Sequence, residues 1–223
     1  MDIVISIANH SHFIHAETIC NMMEEAAKVR GTGIAKRQPA YICKKMEEGK
    51  AIIALDKDKV VGFCYIESWS NQQYVANSGL ITDPDYRNIG LAKAIKQATF
   101  NLSKQHYPKA KLFGITTSLA VMKINSELGY KPVTFSELTE DDDFWKGCQS
   151  CTNYDILQRT QRKMCMCTGM LCDLSKVQEI KTDKANSWEK FKQFAQQRKV
   201  RVKQLSKSIP ELFKLINTQN NEK

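Results

Sequence analysis

Arg87-Asn88-Ile89-Gly90-Leu91-Ala92 is the stretch whose residue types could hold a phosphate. The apolar run Gly79-Leu80-Ile81 stops at Asp83-Pro84, and beyond the loop Leu91, Ile95, Ala98 and Leu102 recur on one helical face. That order reads as strand, tight loop and helix start. Unpaired amides at such a helix start, with the positive end of its dipole, attract a pyrophosphate. Gly90 lets the backbone approach an anion, and small Ala92 leaves room in the first turn. An ordinary strand-to-helix turn would carry the same residues, so the flanking elements must decide.

A second constellation is Cys148-Gln149-Ser150-Cys151 followed, after 13 residues, by Cys165-Met166-Cys167. A CxxC turn and two thiols on one face of a strand would present four sulfurs tetrahedrally to zinc. The second half lacks the usual knuckle spacing, and free cysteines are common core residues, so buried thiols are the competing reading. Cys172 has the opposite parity and makes a poor fifth ligand.

The composition limits what these groups can belong to. The 223 residues suit one ordinary domain plus an extension. Of the net charge of +9, +6 falls in residues 173–223, so the basic excess does not describe the phosphate loop's own domain. No apolar run approaches the roughly 20 residues that cross a bilayer. The start, Met1-Asp2-Ile3-Val4-Ile5, lacks the basic region and cleavage site of a signal peptide, which predicts a cytoplasmic chain with no membrane contact. Eight cysteines there read as thiols or metal ligands, not disulfides.

The elements that must position the loop follow from periodicity. Ile3 to Ile7 is β-rich, Ala16 to Arg30 has helical spacing ended by Gly31-Thr32-Gly33, and Pro39 to Glu48 opens with proline and closes at Gly49. Ala51 to Leu55 and Val60 to Ile66, joined by Asp56-Lys57-Asp58-Lys59, predict a hairpin. Tyr74 to Thr82 is the strand entering the loop. Lys111 to Thr117 is the next strand, followed by a short helix to Leu128 and a strand from Val133 to Leu138. Intermixed helices and strands with a central meander indicate an α+β domain around one mixed sheet, helices on both faces, over residues 1–172. Residues 173–223 form a basic helical C-terminal extension, with Trp188, Phe191, Phe194 and Ala195 on one face. That face is expected to pack on its own domain or on a homodimer mate, ahead of nucleic acid or an acidic partner.

The loop and this element order resemble motif A of the GNAT superfamily of acyl-coenzyme A dependent N-acyltransferases, [Gln/Arg]-x-x-Gly-x-[Gly/Ala]. The resemblance implies the GNAT fold, acetyl-CoA or another short acyl-CoA as cosubstrate, and a small-molecule amine as acceptor. It puts the pyrophosphate on Arg87, Asn88, Ile89, Gly90, Leu91 and Ala92, and the cosubstrate in the cleft where Gly79–Thr82 and Phe113–Thr117 splay apart, with Leu80, Thr82 and Ser118 beside it. The amide near Leu80 would polarise the thioester carbonyl. Gly129-Tyr130 is similar to the family's Gly-[Phe/Tyr] ending, and counting back places Asn125 where many members carry the tyrosine that protonates the leaving thiolate. An asparagine amide can donate a hydrogen bond but not a proton near neutral pH. Glu67, close after the third strand, is the candidate base acting through water, with a solvated turn carboxylate as the competing reading.

Three short stretches are similar to the acetyltransferase domain of N-acetylglutamate synthases: Lys36-Arg37-Gln38, Thr116-Thr117, and Tyr154 to Met164 with Arg159, Arg162 and Lys163. This resemblance implies glutamate or a close relative as acceptor and a place in amino-acid biosynthesis. Two carboxylates would need fixed cations, and Arg37, Arg159, Arg162 and Lys163 are the candidates. Acylation of another small amine, and a non-catalytic binding module on the same scaffold with a basic tail, are the alternatives. The cysteine pattern departs from these synthases.

Overall fold

The computed structural model describes residues 2–30 and 37–177. The helix expected in the tail, any dimer contact it would make, and residues 31–36 lie outside the described residues.

Seven strands form one mixed sheet in the order β1-β2-β3-β4-β5-β7-β6. They are β1 (Ile3–Ile7), β2 (Ala51–Asp56), β3 (Lys59–Trp69), β4 (Tyr74–Thr82), β5 (Lys111–Thr116), β6 (Lys131–Val133) and β7 (Thr168–Asp173). Strands β1 to β4 pair antiparallel, β4 and β5 parallel, and β7 inserts antiparallel between β5 and β6. The helices are α1 (Ala16–Arg30), α2 (Pro39–Glu47), α3 (Leu91–His106), α4 (Leu119–Glu127), α5 (Asp142–Lys146) and α6 (Tyr154–Arg159).

Strand alternation sends side chains to two faces and so makes separate cores. Cys64, Ile66, Val75 and Leu112 turn to the face covered by α3, where Leu91, Ile95 and Leu102 meet them. Ile53, Phe63, Tyr65 and Ile81 turn the other way, onto Ile19, Met23, Ile42 and Met46 of α1 and α2. Further along that sheet, Ala76 and Phe113 are covered by Phe135 and Leu138 from before α5, Trp145 of α5 and Leu157 of α6. This is the GNAT fold, α+β with helices on both faces.

Three expectations need correction. The strand foreseen from Val133 to Leu138 stops at Val133, because the Thr134 side chain and Glu137 form a capping box that starts a 3-10 turn over Phe135–Glu137. Cys165 and Cys167 precede β7 in irregular backbone and do not sit on a strand face. The expected boundary after residue 172 falls inside β7, and Leu174 beyond it is 1% exposed.

Candidate active site

Two departures from a regular sheet open the site. Along β3 and β4 the register runs Phe63↔Ile81 and then Tyr65↔Ser78, so β4 carries one more residue than β3 between these pairs and Gly79 and Leu80 have no register partner. Across to β5, only Tyr74, Val75 and Ala76 pair, with Lys111, Leu112 and Phe113. Beyond Ala76 and Phe113 the parallel strands part. Leu80 therefore lies in a bulge on the wall of a cleft.

Glycine is required at this bulge. Gly79 has φ +63, and a Cβ there would come within 2.4 Å of the Tyr65 ring and 2.8 Å of the Met23 methyl. The loop at the end of β4 has the same character. Asn88 and Gly90 take positive φ, 64° and 85°, and Gly90 is the N-cap of α3, with no side-chain cap on the first amides. A Cβ on Gly90 would meet nothing within 4 Å. The residues present thus fit a pyrophosphate, with open space before the 16-residue helix. Arg87 and Ile89 are exposed in this loop, while Leu91 is buried in the α3 core.

On the far wall, Ser118 caps α4 through its Oγ, which accepts from the Val121 amide at 3.4 Å. Asn125 is 2% exposed; its amide group lies 3.7 Å from the Met170 sulfur and 4.0 Å from the point where a Cβ on Gly114 would stand. Its Oδ1 has no hydrogen-bond partner among the described residues. Gly114 is the first β5 residue past the last β4–β5 pair, so this orphaned acceptor sits where the strands part. Thr82, by contrast, pairs in register with Gly62.

The face under α1 and α2 carries a charged cluster next to the bulge. Arg37 Nε donates to Tyr65 Oη at 2.7 Å, and its Nη2 stands 3.7 Å from Glu67 Oε2. The Tyr41 hydroxyl donates to the other Glu67 oxygen in a short contact. Arg37 and Lys45 lie over the Tyr41 ring at 5.3 and 5.0 Å from its centre. Burial, reinforced by the Glu67 carboxylate, holds both tyrosine hydroxyls protonated well above the ordinary range. Burial opposes the charge on Arg37, and Tyr65 and Glu67 outweigh it. Glu67 is therefore not the solvated turn carboxylate of the competing reading; its side chain is 14% exposed.

Arg159, Arg162 and Lys163 stand elsewhere, at the end of α6 and in the turn after it, all exposed. Arg162 pairs with Asp142 at 2.7 Å and lies over Trp145, at the rim of a cavity of about 600 Å3 between α5 and α6. No contact joins these three to Arg37 among the described residues.

The four cysteines do share one neighbourhood. Cys148 and Cys151 bracket a turn closed by the Cys151 amide on the Cys148 carbonyl at 2.9 Å, and Cys148, Cys165 and Cys167 pack on the Trp145 core. Burial first, and then the nearby thiols, push Cys148 up to about 11 and Cys167 up to about 12. Those acting on Cys167 are Cys165, Cys151 and Cys148. Even so, no group of three or more His, Cys, Asp or Glu among the described residues is arranged to hold a metal ion. The tetrahedral set expected from a strand-borne pair is not formed.

Tyr41, Lys45 and Tyr65 were not foreseen as site residues. Their signal was present: Tyr41 and Lys45 are four apart on α2, and Tyr65 and Glu67 two apart on β3, so each pair shares a face.

The geometry describes a strand bulge, a parted strand pair and a glycine-capped helix. Residues 21–120 match the model of the Acetyltransferase (GNAT) family. Solved structures agree on the fold. The N-acetylglutamate synthase of Neisseria gonorrhoeae, complexed with coenzyme A and N-acetyl-glutamate, superposes with a TM-score of 0.55 at 13% identity, over 78% of this chain and 35% of that one. The chain thus spans about a third of that synthase. Rv2747 of Mycobacterium tuberculosis, complexed with CoA, gives 0.55 at 14% identity over 76% and 98%. A phosphinothricin acetyltransferase of Sinorhizobium meliloti, complexed with AcCoA, gives 0.53 at 14% over 81% and 93%. No curated protein matches in sequence. No described helix is long and apolar enough to cross a membrane.

Proposed function

We propose that this enzyme transfers a short acyl group from acyl-coenzyme A to the α-amine of glutamate or a closely related acidic amino acid, as a cytoplasmic step of amino-acid biosynthesis. The observation that carries the reading is the chain of contacts from the bulge outward: Gly79 abuts Tyr65, Tyr65 holds Arg37, and Arg37 faces Glu67. A cation able to take a carboxylate and a carboxylate able to take a proton thereby stand on the same side of Leu80.

In this mechanism the Arg87–Ala92 loop binds the pyrophosphate and Asn125 stands toward the thiol end. The Leu80 amide polarises the thioester carbonyl as charge develops on its oxygen. The neutral acceptor amine attacks that carbonyl, and Glu67 receives the amine proton through water while Tyr41 and Arg37 fix its two oxygens. Arg37 takes one acceptor carboxylate. The resemblance assigned the second to Arg159, Arg162 or Lys163.

The test is a coupled thiol-release assay crossing acyl-coenzyme A donors with an amino-acid panel. One charge-assisted contact contributes about 1.5–3 kcal/mol, so glutamate should exceed glutamine in kcat/KM by roughly one to two orders of magnitude. Equal rates with the two overturn the acidic-acceptor reading and leave the N-acetyltransferase class.

A further inference from the structure

Arg37, Lys45 and Glu67 gather around the Tyr41 ring with two positive charges and one negative. The surplus cation is Lys45. Its neighbours on either side have carboxylates in ion-pair contact: Lys44 and Lys50 with Glu48, Arg37 with Glu67. Lys45 has none among the described residues, although it is half-buried and burial pulls its pKa below the ordinary lysine value. The uncharted segment just before α2, Gly31 to Lys36, contains no acidic residue. Its ammonium lies over a ring face, the Glu67 and Glu48 carboxylates act on it only from beyond ion-pair contact, and a guest carboxylate in direct contact would complete it.

Its place fits that role. Lys45 follows Tyr41 by one turn of α2, and Tyr41 bonds Glu67, whose strand neighbour Tyr65 lies against the Gly79 bulge. We propose that Lys45 is the second carboxylate contact of the acceptor site, so that Arg37 and Lys45, spaced by the Tyr41 ring, take the two carboxylates of an acidic amino acid in place of the α6 cations. Resting on the acyltransferase reading above, this deepens it.

The experiment measures kcat/KM for glutamate and glutamine with acetyl- and succinyl-coenzyme A, in wild type, Lys45→Met, Lys45→Arg and Arg159→Ala. The expected result is a glutamate-to-glutamine ratio reduced about tenfold in Lys45→Met through the acceptor KM, largely restored in Lys45→Arg, and unchanged in Arg159→Ala, with donor KM values constant. An unchanged ratio in folded Lys45→Met overturns the assignment, as does a change confined to the choice between the two donors, since succinate brings a carboxylate of its own. Loss of the ratio in Arg159→Ala alone returns the contact to α6. The wild-type ratio tests the acidic acceptor itself, so the two failures are separable.

Discussion

Glu67 gains its chemical meaning from what holds it. Tyr41 donates to one oxygen and Arg37 faces the other, so the carboxylate is fixed in position while remaining able to accept a proton. Glu67→Gln keeps the shape and removes the base. General-base catalysis typically contributes 10²–10⁴-fold, and a loss of about that size in kcat is expected, with donor KM nearly constant. Full activity of the variant would remove Glu67 from the mechanism. A different residue, Lys96 of α3, sets a pH dependence of stability. It is 3% exposed, its ammonium 5.4 Å from the Tyr130 ring, and burial lowers its pKa to about 8. Unfolded, it titrates at the ordinary value near 10.5, so between those two values the unfolded chain binds more protons than the folded one. Stability should therefore rise with pH through that window, by up to a few kcal/mol, and Lys96→Met should raise stability at pH 7 and flatten the rise. Denaturant midpoints at pH 7, 8 and 9.5 check this.

Among the elements, α1 over Ala16–Arg30 and β4 over Tyr74–Thr82 are where the sequence places them, the helix because it has one buried face and the strand because its apolar run stops at Asp83-Pro84. The segment from Lys131 onward misled for a physical reason: Val133 to Leu138 is β-rich in composition, but local side-chain capping wins over strand pairing. Strand β7, which completes the sheet between β5 and β6, is short and rich in residues that fit either state, so it was not singled out. In the loop expected to bind phosphate, the need for glycine was legible because it answers to backbone geometry. Gly90 at φ +85 implies two costs for valine, a strained left-handed conformation and a side chain in the space an anion needs. Coenzyme A affinity of Gly90→Val should fall at least about tenfold, about 1.4 kcal/mol. Titration calorimetry showing unchanged affinity in a folded variant would sink the loop assignment. The cluster around Tyr41 was less legible, since it joins α2 to β3 across about 26 residues and only the pairing of strands brings them together.

At the scale of the whole molecule, the sheet sets where the catalytic domain ends. Asp173 pairs with Lys111, and the Leu174 amide reaches the Ala110 carbonyl at 3.0 Å. A chain cut after Val177 should fold and bind coenzyme A, whereas one cut after Cys172 loses the end of β7 and a buried leucine and should melt several degrees lower. Equal melting temperatures for the two would show that β7 ends are dispensable.

The parting of β4 from β5 after three paired residues has a consequence beyond binding. Two strand edges that would elsewhere pair with each other are left in the middle of a sheet, in the part of the molecule where a fold can least tolerate a gap. Coenzyme A bound as proposed would fill that gap and leave it again after each turnover. The protein's rigidity is then partly a property of the solution around it: at a coenzyme A concentration of 100 times Kd the folded state gains about 2.7 kcal/mol. An enzyme built this way is sturdiest when its substrate is plentiful.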